Sequence, residues 1–84
     1  MVSEKIIIRN PAGLHLRPAG NLSTLATSFT SSVSMRRGNK IVNVKSLLAI
    51  LGACVRSGDE LEFICDGEDE EAALAAVTEL IRTL

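Results

Sequence analysis

Hydrophobic and polar positions in the first third of the chain follow two different periods. A β-branched run, Ile6 to Ile8, lies within Val2–Arg9 and stops at Asn10-Pro11-Ala12-Gly13, which predicts a strand followed by a loop. From Leu16 onward, apolar residues recur every three or four positions: Ala19, Leu22, Leu25, Ala26 and Phe29. This spacing marks one face of a helix, and Pro18 fits only in the first turn of that helix.

The middle of the chain shows the shorter period of strands. Val33 and Met35 alternate with polar residues, and Arg37-Gly38-Asn39-Lys40 has the composition of a turn. The next apolar residues are Ile41, Val42 and Val44. This pattern predicts a β-hairpin. A second turn, Ser57-Gly58-Asp59, precedes a fourth strand. The inward positions of that strand are Leu61, Phe63 and Cys65.

Two further helices are predicted in the second half of the chain. Ser46 precedes a short apolar segment that should end near Gly52, and its hydroxyl is a suitable N-cap. The acidic run Glu68–Glu71 begins the last helix and Arg82 lies in its last turn, an order that matches the helix dipole. The apolar face of this last helix comprises Ala73, Leu74, Val77, Leu80, Ile81 and Leu84.

The predicted order of elements is βαββαβα, in a single domain covering residues 1–84. Each helix has one apolar face that must be covered. The simplest arrangement is an α+β fold in two layers, with a four-stranded sheet and all three helices on one of its faces. The other face of the sheet is then open to solvent.

Composition excludes several classes of protein. Hydrophobic residues make up 46% and charged residues 23% of the sequence, which supports a packed core rather than disorder. The net charge of −1 gives no general attraction to nucleic acid or anionic membranes. The longest nearly uncharged apolar stretch, Ser46–Val55, is about half the roughly 20 residues that a membrane span needs. The N-terminus does not resemble a secretory signal, so we expect a cytoplasmic location without membrane insertion.

Cysteine and histidine content gives little support for a metal site. Cys54 and Cys65 allow one disulfide, but a reducing compartment favours two packed thiols. One histidine and two cysteines without a CxxC pair make a poor zinc site. We therefore expect no metal site.

The only histidine, His15, lies where the first helix begins. Gly13, two residues before it, permits unusual backbone angles. The unpaired N–H groups of a helix N-terminus would stabilise an anion carried on the imidazole. Arg17 adds a positive guanidinium fork. Since neutral imidazole is a nucleophile near pH 7, this setting suits a phosphoryl acceptor. Position alone leaves open that His15 is an ordinary cap or surface residue.

The motif around His15 resembles that of a known family. Gly13-Leu14-His15-Leu16-Arg17-Pro18-Ala19-Gly20 is similar to GLHARPA, the active-site signature of the histidine-containing phosphocarrier (HPr) family of the sugar phosphotransferase system. Val42–Ser46 resembles the second motif of that family at the expected position. The turn at Gly58 and the acidic start of the last helix also correspond, so the resemblance covers essentially the whole chain.

The resemblance implies a phosphoryl carrier rather than an enzyme, without a cofactor. His15 would be phosphorylated on Nδ1 by enzyme I, which takes the group from phosphoenolpyruvate, and would pass it to sugar-permease A domains. Arg17 would assist the phosphorylated state. The sheet would be antiparallel with strand order 1-4-2-3, and the protein is expected to be a monomer.

The resemblance also implies a docking surface on the first two helices. A short helix that buries Ile50 cannot also bury Leu47, Leu48 and Leu51, so some of these leucines should be exposed. Exposed apolar patches often bind partners. We expect the docking surface to comprise Leu16, Gly20, Leu47, Leu48 and Leu51. The alternative is that the leucines are simply core. The chain departs from the usual family residues at four positions: Leu16 replaces Ala, Leu48 replaces Met, and Ala49 and Cys54 each replace Gly. Leu16 enlarges the apolar surface beside His15 and could change the choice of partners.

Ser46 has a second role in many members of the family. There the matching serine is phosphorylated by a serine kinase/phosphorylase, and the carrier then signals to a catabolite regulator. Phosphate at a helix N-terminus is electrostatically acceptable. The resemblance therefore makes Ser46 a possible regulatory phosphosite as well as a cap.

Two alternative functions are open at this point. A regulatory paralogue would act as a binding module for a transcriptional regulator or in a nitrogen-related branch. Paralogues that bind a transcriptional regulator, however, lack the histidine. A small nucleic-acid binder would need a basic surface or stacking aromatics. Phe29 and Phe63 are the only aromatic residues, and both are expected in the core.

Overall fold

A computed structural model describes the whole chain, residues 1–84, as four strands and three helices. The elements are β1 (Val2–Ile7), α1 (Leu16–Thr27), β2 (Ser32–Arg37), β3 (Lys40–Asn43), α2 (Leu47–Gly52), β4 (Glu60–Asp66) and α3 (Glu70–Arg82). Their order is the predicted βαββαβα. None of the helices combines the length and the apolar character needed to cross a membrane.

The strands form one antiparallel sheet in the order β1-β4-β2-β3. In β4, at the centre, Phe63 is paired with Glu4 of β1 and Met35 of β2. The inward positions of β2 and β4 alternate with partly or fully exposed ones, as expected for a sheet covered on one face. The structure therefore confirms the predicted α+β fold, the two layers and the order 1-4-2-3.

The core lies between the sheet and the helices. Its central side chains have almost no exposed surface: Leu22, Met35, Ile50, Leu61, Phe63 and Val77. Phe29 is only partly buried, but it packs against this cluster. Both aromatic residues are thus accounted for by packing, as predicted.

Two residues lie outside the elements predicted for them: Phe29 lies beyond α1, which ends at Thr27, and Val44 lies beyond β3, which ends at Asn43.

Three further predicted details are wrong. β1 ends at Ile7 rather than Arg9, because Ile8 exchanges hydrogen bonds with the turn before β4: its N–H donates to the Asp59 carbonyl (2.9 Å) and its carbonyl accepts from Gly58 (2.7 Å). Leu84 lies beyond the end of α3 and is 41% exposed. Both cysteines are free, but only Cys65 is a packed thiol, since Cys54 lies on the surface.

Candidate functional site

His15 is the N-cap of α1. Its backbone is extended (φ −87°, ψ −170°), its carbonyl accepts from the Ala19 N–H (2.9 Å), and its exposed side chain makes no capping hydrogen bond. The first N–H groups of a helix have no acceptor within the helix. Pro18 has no N–H, and the N–H groups of Leu16 and Arg17 have no acceptor elsewhere in the protein. The imidazole therefore lies beside two free donors at the positive end of α1.

The loop before His15 depends on the left-handed conformation of Gly13 (φ +65°). The Gly13 N–H donates to the Asn10 carbonyl (2.9 Å), and the Asn10 side-chain amide donates back to the Gly13 carbonyl (3.2 Å). This closed turn reverses the chain between β1 and α1. A residue with a side chain would be strained here.

Residues 53–59, named here the support loop, hold the His15 loop from behind. A Cβ at Gly13 would overlap the Val55 carbonyl oxygen and lie 2.9 Å from Arg56 Cα. The Leu14 N–H donates to the same Val55 carbonyl (3.2 Å), and the Leu14 side chain is buried. His15 is thus exposed on a backbone that is packed on its inner side.

Arg17 adds positive charge to the N-terminal turn of α1. Its side chain is exposed and takes part in none of the ion pairs of the protein. The first turn of α1 has no acidic residue that would compete for this charge. The first turn of α1 therefore carries an unpaired guanidinium as well as the positive end of the helix dipole.

Ser46 caps α2 as predicted. Its Oγ accepts a hydrogen bond from the Ala49 N–H (3.2 Å). Its own N–H donates to the Asn43 carbonyl (3.1 Å), and the residue is partly buried. The capping role is confirmed.

The predicted docking residues differ in exposure. Leu48 is 81% and Leu16 is 65% exposed, whereas Ile50 is fully buried. Leu47 and Leu51 are partly buried and pack against the core. At Gly20 of α1, a Cβ would meet no atom within 4 Å, so the space beside this residue is open. The expectation that some of these leucines are exposed is confirmed for Leu48, and large apolar surface is available at both helix starts.

Two features of the support loop were missed at the sequence level. Cys54 adopts positive φ (54°), the conformation that favours glycine. The presence of cysteine where the family usually has glycine was the only signal for it. Arg56 lies against Gly13 through a contact between distant segments, and no local pattern of residues indicates such a contact.

Comparison with known proteins identifies the family. The family model for the PTS HPr component phosphorylation site matches residues 2–83. The chain belongs to the HPr family of phosphocarrier proteins. The predicted recognition is thus confirmed, and HPr is the phosphocarrier of the phosphotransferase system.

Relatives in the HPr family include phosphocarrier proteins and the HPr-like protein Crh. The chain is 33% identical to phosphocarrier protein HPr of Lysinibacillus sphaericus over 81 residues, which are 96% of this chain and 92% of that protein. It is 39% identical to the HPr-like protein Crh of Bacillus subtilis over 74 residues, 88% of this chain and 87% of that protein.

A third relative is much longer than this chain. The identity is 38% over 74 residues to DhaM, the phosphoryl donor subunit of a phosphoenolpyruvate-dependent dihydroxyacetone kinase from Providencia stuartii. The match covers 88% of this chain but only 16% of DhaM.

The fold of a solved HPr agrees with the present structure. HPr-C-His from Thermoanaerobacter tengcongensis superposes with a TM-score of 0.95 at 36% identity, covering 99% of this chain and 93% of that one. The four-stranded sheet with three helices is therefore the HPr fold.

Proposed function

We propose that His15 accepts a phosphoryl group from phosphorylated enzyme I and passes it to sugar-permease A domains. The observation that carries this proposal is the exposed imidazole at the uncapped N-terminus of α1, next to unpaired Arg17. In this role the protein is a co-substrate of other proteins rather than an enzyme.

The site residues have separate tasks in the transfer. Nδ1 of neutral His15 attacks the phosphorus atom, so an N–P bond forms while the bond from phosphorus to the donor breaks. The free N–H groups of Leu16 and Arg17 and the Arg17 guanidinium then balance charge on the phosphoryl oxygens. The reverse sequence delivers the group to the acceptor.

The docking surface comprises Leu16, Gly20, Leu47, Leu48 and Leu51. Leu16 and Leu48 are the large apolar residues of this surface that are exposed, and Leu16 directly follows His15 at the start of α1. Apolar groups beside a polar reacting centre are typical of protein interfaces. We propose that enzyme I and the A domains use this same surface in turn, with the carrier acting as a monomer.

The decisive experiment is incubation with enzyme I and phosphoenolpyruvate, followed by intact-mass measurement. We expect one acid-labile phosphoryl group on the wild type and none on His15→Ala. Arg17→Gln should still fold but accept the group more slowly. A wild-type protein that remains unmodified under conditions that phosphorylate another HPr would refute the proposal.

Delivery is tested with the phosphorylated protein and a panel of acceptors. The panel contains several sugar-permease A domains and, because of the likeness to DhaM, the dihydroxyacetone kinase components that act with DhaM. We expect transfer to at least one A domain. Leu48→Ala should slow it without changing the fold, since Leu48 is 81% exposed.

A second candidate function is regulatory phosphorylation at Ser46, which the likeness to Crh favours. A serine kinase/phosphorylase with ATP would modify Ser46, and the product would bind a catabolite regulator. Wild type and Ser46→Ala are compared in the kinase assay, with His15→Ala as the matched control. Modification that is lost only in Ser46→Ala supports this role, and it can coexist with transfer at His15. Regulation without uptake at His15 would instead indicate a regulatory paralogue.

A further inference from the structure

The support loop places an arginine against the loop that carries His15. Arg56 Cα lies 2.9 Å from the position of a Cβ on Gly13, two residues before His15. Two residues of chain span at most about 7 Å, and the six bonds from an arginine Cα to its terminal nitrogens reach on the order of 7 Å. An Arg56 side chain that extends along this loop is therefore long enough to cover the distance from Gly13 to His15.

The backbone of Arg56 is fixed by one carboxylate. The Arg56 N–H donates to Asp59 Oδ2 (2.8 Å), and the Arg56 carbonyl accepts from the Asp59 N–H (3.1 Å). The same carboxylate oxygen lies 3.1 Å from Arg37 Nε, and another nitrogen of Arg37 donates to the Ala53 carbonyl (2.6 Å). Arg37 and Asp59 thus anchor the two ends of the support loop.

The Arg56 side chain itself is free. It is exposed and makes no hydrogen bond or ion pair, although Asp59 lies three residues away. The Asp59 carboxylate is occupied by Arg37 and by the Arg56 backbone N–H. A free guanidinium on an anchored backbone, packed against the loop that carries a phosphoryl acceptor, has the chemistry of an anion ligand.

We infer that Arg56 is a second guanidinium ligand of the phosphoryl group on His15. Arg17 approaches that group from the first turn of α1, and Arg56 approaches it from the support loop. The inference rests on the proposed function of His15 and adds to it a residue from a different segment of the chain. Two guanidinium groups would balance the dianionic phosphoryl group better than one.

The test loads His15 with phosphoramidate, a small donor that does not require enzyme I. The imidazole nitrogen bonds to phosphorus as the P–N bond of phosphoramidate breaks and ammonia leaves. The pKa of the phosphoryl group is then measured by ³¹P NMR titration. We expect Arg56→Gln to raise the pKa of the phosphoryl group by about 0.5, because a nearby cation stabilises the dianion more than the monoanion. The change is small because solvent screens an exposed charge.

Three controls accompany the titration. Lys5→Gln removes one positive charge from the open face of the sheet and should leave the phosphoryl pKa unchanged. Arg56→Lys keeps the charge and should restore part of the effect, whereas Arg17→Gln should raise the pKa as Arg56→Gln does. In the wild type, the Arg56 Nε–H resonance should shift on phosphorylation.

The outcomes separate this inference from the proposed function. A phosphoryl pKa in Arg56→Gln equal to that in Lys5→Gln, with an unmoved Arg56 Nε–H resonance, overturns it. Circular dichroism confirms that the variants are folded. If enzyme I fails to phosphorylate the wild type while phosphoramidate succeeds, the proposed function fails, and the titration still decides the role of Arg56.

Discussion

Oδ1 of the Asp69 carboxylate accepts two hydrogen bonds from Ser31: one from the backbone N–H (2.9 Å) and one from the hydroxyl. The other carboxylate oxygen accepts from the Thr30 N–H (3.0 Å). These bonds tie the start of α3 to the loop between α1 and β2. Hydrogen bonds from the Ser31 hydroxyl and the Thr30 N–H lower the pKa of Asp69 from 3.8 to about 2.

This lowered pKa predicts how stability depends on pH. Because the folded pKa lies below the unfolded one, the stabilisation is complete above about pH 4 and disappears as the pH falls through about 2. Asp69→Asn should lower the urea midpoint at pH 7, and the difference from wild type should shrink below pH 4. Glu68→Gln, an exposed control, should change little. A difference that is the same at pH 7 and pH 2.5 would contradict this account.

The two cysteines should differ in reactivity. Cys54 is exposed, whereas Cys65 is fully buried and burial raises the pKa of its thiol, with smaller contributions from Glu70 and Asp69. A thiol reagent should modify one cysteine per native molecule and the second only in urea. Rapid reaction of both thiols at zero denaturant would show that the β4 side of the core opens readily.

Positive φ at Cys54 adds a stability prediction at the same position. A left-handed non-glycine residue costs about 1 to 2 kcal/mol, part of which is offset because glycine makes the unfolded chain more flexible. Cys54→Gly should therefore stabilise the protein by about 0.5 to 1 kcal/mol in urea unfolding. Cys54→Ala keeps the unfavourable φ and is the control. Equal stability of the two variants would show that the backbone relaxes at this position.

Most of the fold could be predicted from the sequence because its elements have local signals. The period of Leu61, Phe63 and Cys65 indicated β4, and Ser46 before an apolar segment indicated a capped α2; both are confirmed. The strand order came only through the family resemblance, since pairing between β1 and β4 joins residues about 60 positions apart.

The candidate site was only partly predictable, for the same physical reason. His15 and Arg17 lie in one short motif, and Gly13 is required by a local turn. The contacts that support this motif come from Val55 and Arg56, far along the chain. Likewise, the acidic residue Asp69 suited the start of a helix, but its side chain binds the loop at Ser31 instead of capping α3.

Removal of the Ser46 hydroxyl should destabilise the protein modestly. Ser46→Ala leaves the Ala49 N–H without its capping acceptor, and such a loss costs about 1 kcal/mol. Ser46→Asp retains an acceptor at a helix N-terminus and should be close to wild type. Urea unfolding of the three proteins measures the difference. If Ser46→Asp is as unstable as Ser46→Ala, the partly buried site does not accommodate a charge, which would also weigh against phosphorylation there.

Neighbouring residues of α2 should separate docking from folding. Leu48→Ala should change the free energy of unfolding by less than about 0.5 kcal/mol, because Leu48 is 81% exposed. Ile50→Ala removes a fully buried side chain and should cost about 2 to 5 kcal/mol. Once both variants are confirmed folded, Leu48→Ala should slow phosphoryl transfer from enzyme I more than Ile50→Ala does. A Leu48→Ala protein with unchanged transfer to every partner would remove Leu48 from the docking surface.

Two glycines with the same backbone conformation isolate the contact behind His15. Gly13 (φ +65°) and Gly38 (φ +62°) both adopt left-handed geometry, but of these two only Gly13 has atoms within 4 Å of an added Cβ. Gly38→Ala should cost about 1 kcal/mol from conformation alone. Gly13→Ala adds an overlap with the Val55 carbonyl oxygen, so it should cost about 2 kcal/mol or more and displace the His15 loop. We expect phosphoryl uptake to fall about tenfold or more in Gly13→Ala and to stay near wild type in Gly38→Ala. Equal uptake by the two variants would mean that the support loop moves aside, and that His15 does not depend on being held against it.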